Sequence, residues 1–130
     1  GVSARVDGYQ AAALERFAQD RARVEAGNLA RPDCGGGRPM MDLKVSVSIF
    51  TRAPVPYNGR VKLVTGTVDV TLVGHSGGRQ VVSLSSGRVE LRALGLDRAQ
   101  IGAAMETQIG EAISAAVKSF ATSLGVSSFR

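Results

Sequence analysis

A chain of 130 residues with 44% hydrophobic and 21% charged side chains has the size and make-up of one folded domain, and wholesale disorder is excluded. No apolar run approaches the roughly 20 residues a membrane-crossing helix needs, and the single cysteine, Cys34, excludes an internal disulfide. The formal charge of +5 rests mainly on arginines scattered along the chain, with no run of five or six cations. A dispersed, solvated basic surface is therefore expected ahead of a basic face built for nucleic acid.

Gly1-Val2-Ser3-Ala4-Arg5 is neither a signal peptide nor an initiator sequence, and Gly1 reads as the remnant of a tag with the native start upstream. From Asp7 or Gly8 to about Ala26 the spacing predicts a helix, with Leu14, Phe17, Ala18 and Val24 as a narrow apolar stripe. Gly27-Asn28 is expected to stop it. Residues 27–42 hold three consecutive glycines, Gly35 to Gly37, between Pro32 and Pro39, and read as a flexible loop.

Residues 43–51 alternate, with Leu43, Val45, Val47 and Ile49 on one side and Lys44, Ser46 and Ser48 on the other. That is the pattern of a strand with one wet face. The prolines Pro54 and Pro56 break it, and Asn58-Gly59 signals a turn.

Residues 60–93 read as a long hairpin centred on Ser76, pairing residues whose numbers sum to 152. Val70 then faces Val82, Val68 faces Leu84, Leu63 faces Val89, Val61 faces Leu91, and Lys62 falls opposite Glu90. The apolar parity switches along both strands, from Val61 and Leu63 to Val68 and Val70 and from Val82 and Leu84 to Val89 and Leu91. A coupled bulge at Gly66 opposite Ser86-Gly87 is expected to carry that switch.

The last element is a helix over residues 98–124. Asp97 is its N-cap, with Gln100 three residues on as in a capping box. Ile101, Met105, Ile109, Ile113, Val117, Phe120 and Leu124 fall on one stripe, and Gly125 ends it. Gly102 and Gly110 are expected where a neighbouring backbone comes close, and residues 126–130 form a loose tail. The fold class is therefore α+β: a single domain over residues 1–130, with a three-stranded antiparallel meander built on a long β-hairpin and packed by an N-terminal and a C-terminal helix.

Chemistry is thin. Gly74-His75-Ser76-Gly77-Gly78 matches the G-x-S-x-G nucleophile elbow, but a strand follows it where the motif needs a helix. Its one histidine, His75, lies inside the motif, so a hairpin turn is the simpler reading. Cys34 with His75 is a weak thiolate–imidazole candidate, and these two supply too few ligands for zinc. Gly35-Gly36-Gly37-Arg38 lacks the G-K-[ST] ending of a phosphate loop. Asp69, Glu90, Asp97, Glu106 and Glu111 are scattered, and Lys62 and the helix cap account for Glu90 and Asp97, so no acid–base pair stands out. No catalytic, cofactor-binding or metal residue is expected, and the chain is not expected to be an enzyme. Phe50 is the sole aromatic on a predicted strand, Tyr57 falls in a turn, and Phe17 and Phe120 read as core, which speaks against nucleic acid.

The segment Val64-Thr65-Gly66-Thr67-Val68-Asp69-Val70-Thr71-Leu72, followed by Gly77-Gly78-Arg79-Gln80-Val81-Val82, with its closing Ala-rich helix, resembles accessory lipoproteins of the Gram-negative envelope. These include the lipopolysaccharide-assembly lipoprotein, auxiliary lipoproteins of envelope transporters and curli-secretion-type domains. The resemblance covers about two thirds of the chain in layout. It implies a non-enzymatic role in assembling or plugging an envelope machine, in the periplasm or at the outer membrane. The chain departs from it in lacking a lipid-attachment cysteine, and no functional residue is carried over. The expected partners are other envelope proteins or a second copy, reached through a sheet edge or the first helix's stripe. The alternative is a cytoplasmic nucleic-acid-binding module, and a third is a hydrolase at Ser76.

Overall fold

The computed structural model describes residues 1–29 and 42–124. Along the chain it places β1 (Val2–Gly8), α1 (Ala11–Leu29), β2 (Asp42–Thr51), β3 (Val55–Asn58), β4 (Val61–Ser76), β5 (Arg79–Gly95) and α2 (Arg98–Leu124). The sheet has five strands and is mixed, where a three-stranded antiparallel meander was expected. β4 is central, with β2 and β3 end to end along one side and β5 along the other. β1 runs parallel to β2 on its outer side, from Val2 opposite Val45 to Gly8 opposite Thr51.

The additional strands are those whose local signal is weak. In β1 the alternation is diluted by Ala4 and Arg5, and the strand exists through parallel pairing with a segment some 43 residues later (45 − 2). Its presence moves the helix start from Asp7 or Gly8 to Ala11, and the helix runs through Gly27-Asn28, expected to stop it, to Leu29. β3 contains Pro56, which an edge strand tolerates because its missing N–H would face solvent. The turn after it is where Asn58-Gly59 placed it, with Gly59 at φ 57°.

Both helices lie on one face of the sheet, α1 against β1 and β2, α2 against β4 and β5, and each against the other. They start side by side, since the Gln10 side-chain amide donates to the Arg98 carbonyl at 2.9 Å. Strand alternation supplies the sheet side of the core: Val45, Val47 and Ile49 from β2, Val64, Val68, Val70 and Leu72 from β4, Leu91 and Ala93 from β5. α2 supplies Ile101, Met105, Ile109, Ile113, Val117 and Phe120 on the predicted stripe, and α1 supplies Leu14, Ala18 and Ala22. The α1 stripe is thus consumed by the core, and Val24, expected in it, is exposed. The α2 cap is as expected: the Gln100 N–H donates to the Asp97 carboxylate at 2.8 Å. Gln100 in turn accepts from the Leu96 N–H at 2.8 Å.

The two helical glycines receive side chains, not backbone. A methyl group at Gly102 would meet the Gln10 amide, and one at Gly110 the Arg21 guanidinium and the Phe17 ring. That guanidinium donates to the Ser114 hydroxyl at 2.9 Å and to Glu25 at 3.3 Å, and Ser114 donates to Glu25 at 2.6 Å. This triad locks α1 to α2.

The hairpin register also differs from expectation. The tip is Gly77-Gly78, at φ 60° and 79°, with Ser76 opposite Arg79. Two positive-φ residues in a two-residue loop match the right-handed twist of the strands, which a Ser76 apex could not. Leu72 then faces Leu84, Val68 faces Val89, Lys62 faces Gly95 and Glu90 faces Thr67; the Lys62–Glu90 pair is absent. β5 carries one extra residue near Val81 and another at Ser86-Gly87, the latter opposite Val70, not Gly66. There Gly87 takes φ 76° and the Val70 N–H is satisfied by the Ser86 hydroxyl at 3.0 Å. Gly66 serves the opposite neighbour: a methyl group there would collide with the Phe50 carbonyl.

Cys34, the Gly35–Gly37 run with Arg38, Gly125 and the tail lie outside the described residues, so the Cys34–His75 pairing and the phosphate-loop reading do as well.

Candidate binding face

With both helices on one side, the other face of the sheet is covered by no described residue outside the sheet. Its side chains are the odd-numbered residues of β4 and whatever stands opposite them in register. Towards the hairpin tip and centre the face is short and hydroxylated: Ser46, Ser48, Thr67, Thr71, Ser83 and Ser85. Acidic and basic side chains neighbour one another there, except Lys44, which stands opposite Val73. Arg5 lies 3.8 Å from Asp7, and Asp69 stands opposite Arg88 and accepts from the Ser85 hydroxyl at 3.2 Å.

Towards the other end the face turns apolar. Val55 on β3, Leu63 on β4 and Leu94 on β5 stand in one row across three strands. The row above it holds Thr65 and Arg92, and the next holds Phe50, Thr67 and Glu90. Phe50, Val55, Tyr57 and Leu94 are 47%, 50%, 52% and 41% exposed. Two arginines lie on the aromatics: Arg52 at 5.8 Å from the Phe50 ring centre and Arg92 at 5.4 Å from that of Tyr57. Isolated exposed apolar residues are ordinary, whereas a contiguous group with aromatic and arginine members marks a contact surface.

This end of the face was present in the sequence as the change of apolar parity. Val61 and Leu63 point away from the helices while Val64 and Val68 point towards them. β4 keeps one alternation throughout, so on that strand the change marks a second apolar surface. On β5 the change from Val82 and Leu84 to Val89 and Leu91 is carried by the bulge at Ser86-Gly87, as expected. Tyr57, expected in a turn, sits on a strand and belongs to that surface.

Helix side chains, by contrast, meet the outer edges of β1 and β5, while the short β3 edge is exposed. On β1 the Val6 N–H donates to Glu15 at 3.1 Å, and Gln19 donates to the Val2 carbonyl at 3.2 Å. On β5 the Gln108 side-chain amide imitates a strand. It accepts from the Arg92 N–H at 2.9 Å and donates to the Arg92 carbonyl. Nearer the tip, the two bulges of β5 interrupt its outer edge. Charges, bulges and covering groups of this kind keep edges from pairing with other chains.

The remaining sequence candidates stay apart. His75 and Ser76 are consecutive on β4, and strand alternation sends their side chains to opposite faces. No group of three or more His, Cys, Asp or Glu with metal-holding geometry occurs among the described residues. An open cleft of about 490 Å³ between the helix starts is lined by Gln10, Arg98, Ala99, Gly102, Ala103 and Glu106. Gln10 there has φ 57°, unusual for a residue with a side chain, and accepts the first helical bond of α1 from the Leu14 N–H. No helix among the described residues is long and apolar enough to cross a membrane.

The chain is thus an α+β protein with a mixed sheet, one face covered by two parallel helices and the other free among the described residues. No protein-family model matches it, and no curated protein does. Among solved structures it is similar to rare lipoprotein B from Shewanella oneidensis, with 14% identity, a TM-score of 0.47, and 95% of this chain and 92% of that one covered. It is also similar to a Caulobacter crescentus CB15 protein assigned as a lipoprotein, with 14% identity, a TM-score of 0.45, and 93% and 86% covered. Both likenesses fall below a TM-score of 0.5, and function has to be argued from the chain's own surface.

Proposed function

We propose that this chain is a non-enzymatic binding or assembly subunit of a bacterial cell-envelope complex, working through the open face of its sheet. The observation that carries the reading is the apolar end of that face, where Phe50, Val55, Tyr57 and Leu94 stand exposed beside Arg52 and Arg92. A monomer gains nothing by leaving such a surface wet, and a partner gains by covering it. The β1 and β5 edges are partly guarded and the first helix's stripe is buried, which favours the open face, with the short β3 edge at its rim, as the surface for a partner. The envelope setting is supported by the layout resemblance of residues 43–124 to accessory lipoproteins, a warrant of fold analogy alone.

The test is photocrosslinking in the native cell. Full-length protein carrying a photoreactive phenylalanine at Tyr57, and separately at the exposed helix position Arg23, is irradiated and fractionated. Envelope recovery with a discrete crosslinked band from Tyr57 alone is the expected outcome. Cytosolic recovery, or equal crosslinking from both positions, discards the reading. A second reading rests on the same two aromatics: bases stack on rings displayed by an open sheet, so salt-dependent RNA binding lost in Tyr57→Ala would put a nucleic-acid module in its place.

A further inference from the structure

Resting on that reading of the open face, we infer that its apolar end takes an acidic, apolar segment of a partner protein. Val55, Leu63 and Leu94 form the floor with Tyr57 beside it, and Arg52 and Arg92 bind the segment's carboxylates. The floor is the Val55–Leu63–Leu94 row, about 10 Å from first to third strand at ordinary strand spacing. That width suits one strand or one helix face.

The charge comes from the two stacked arginines. A guanidinium lying on an aromatic ring keeps its N–H edge free for a bidentate carboxylate, which a lysine could not match. Neither Arg52 nor Arg92 has a carboxylate within 4 Å among the described residues, while Arg5 has Asp7. On the same face Arg88 stands opposite Asp69. By the same 4 Å measure Arg88 is unpaired too among the described residues, but Asp69 faces it across the strands, whereas Arg92 faces Thr65. The two ring-stacked arginines beside the apolar floor are thus placed to meet a partner's carboxylates.

Other occupants fit less well. A second copy would bring the same cations together on a chain already at +5. A polyanion or a densely anionic membrane would meet Asp7 beside Phe50 on β2 and Glu90 two strands away in that row. Spaced carboxylates set around apolar side chains avoid both while reaching Arg52 and Arg92.

The experiment uses the full chain, immobilised and presented with a displayed library of random short peptides. The expected outcome is enrichment of peptides combining Asp or Glu with aromatic or aliphatic residues. Binding of the best synthetic peptide then falls about tenfold or more in Tyr57→Ala and in Arg92→Glu, and is unchanged in Arg79→Glu at the hairpin tip. Thermal melts of all three variants verify that the fold is intact. Enriched peptides that are neutral or basic, binding indifferent to Tyr57 and Arg92, or no enrichment at all overturns the proposal. So does co-sedimentation with phosphatidylglycerol vesicles, or capture of a single-stranded oligonucleotide, that is lost in the same variants in place of peptide binding. A cytosolic location removes the envelope reading while leaving peptide selectivity as measured, so the two fail separately.

Discussion

The two faces of this sheet come from the same strands by the same alternation, and they end in opposite conditions. The helix side is mostly aliphatic and covered, with Thr51 its buried polar member and Val89 on β5 still 39% exposed. The other side is hydroxylated for most of its length, with Val73 as an isolated apolar residue, and carries its apolar cluster at the end where β3 joins. The contrast shows that burial follows from what a neighbouring element can cover, not from hydrophobicity alone. Leu72 and Leu94 are the same residue on adjacent strands, yet Leu72 is fully buried under the helices and Leu94 is 41% exposed.

The largest effects should fall on the sealed side. Ile109→Ala or Leu72→Ala removes most of a fully buried side chain and should cost about 2–5 kcal/mol, the usual range when a core cannot close around the gap. Thr67→Ala on the open face should stay within about 0.5 kcal/mol. Urea unfolding of the three variants checks the pair of claims, and equal losses on both faces would break the contrast.

Next in size is the tie between the helices. Ser114→Ala leaves the Arg21 guanidinium and the Glu25 carboxylate without the hydroxyl that bridges them. Because both are only partly buried, the loss should be about 1–2 kcal/mol. Gly110→Ala should displace Arg21 from the same place. Its gain in helix propensity, about 1 kcal/mol, offsets the broken bond, so a nearly unchanged midpoint is expected. A double variant measured in the same denaturant series should show the two changes to be non-additive.

How much of this was legible beforehand depends on the range of the interactions involved. α2 could be read to the residue because its stripe, Asp97 cap and Gln100 are all local. The alternation of β2 was equally plain. β1 and β3 were missed because their evidence is not in their own residues: one is fixed by a parallel partner far along the chain, the other survives its prolines by standing at an edge. The hairpin register failed at its turn. Two glycines with positive φ set the tip three residues from the assumed pairing (76 + 79 = 155 against 152), and each bulge then added one more. The binding face was visible only as an anomaly, the parity change at Val61 and Leu63. Assuming that every apolar position points to one core extended the bend to β4; the Ser86-Gly87 bulge does carry the switch on β5, while on β4 a second apolar surface explains it without one.

A smaller effect should come from the guarded edge. Gln108→Ala removes the side chain that pairs with both backbone groups of Arg92. Water can replace those bonds, so the stability cost should be about 1 kcal/mol or less. The more telling readout is sedimentation. Freed of its cover, the outer edge of β5 should show concentration-dependent association absent from the wild type, the behaviour expected of an unprotected edge. A variant that stays monomeric would mean that the bulges alone suffice.

The smallest change in stability is expected from Tyr57→Ser, and that smallness is what the contrast between faces requires. The ring is half exposed, contacts the Arg92 guanidinium at 5.4 Å, and stands on an edge strand four residues long. Losing a solvent-exposed cation–π contact costs about 0.5–1 kcal/mol, offset in part because less apolar surface is left in water. Net destabilisation by thermal unfolding should therefore be at most about 0.5 kcal/mol, alongside a large loss of partner binding. A residue whose removal barely disturbs the fold but abolishes an interaction is kept for the interaction. Destabilisation approaching that of Ile109→Ala would instead make Tyr57 part of the structure and deprive the open face of its anchor.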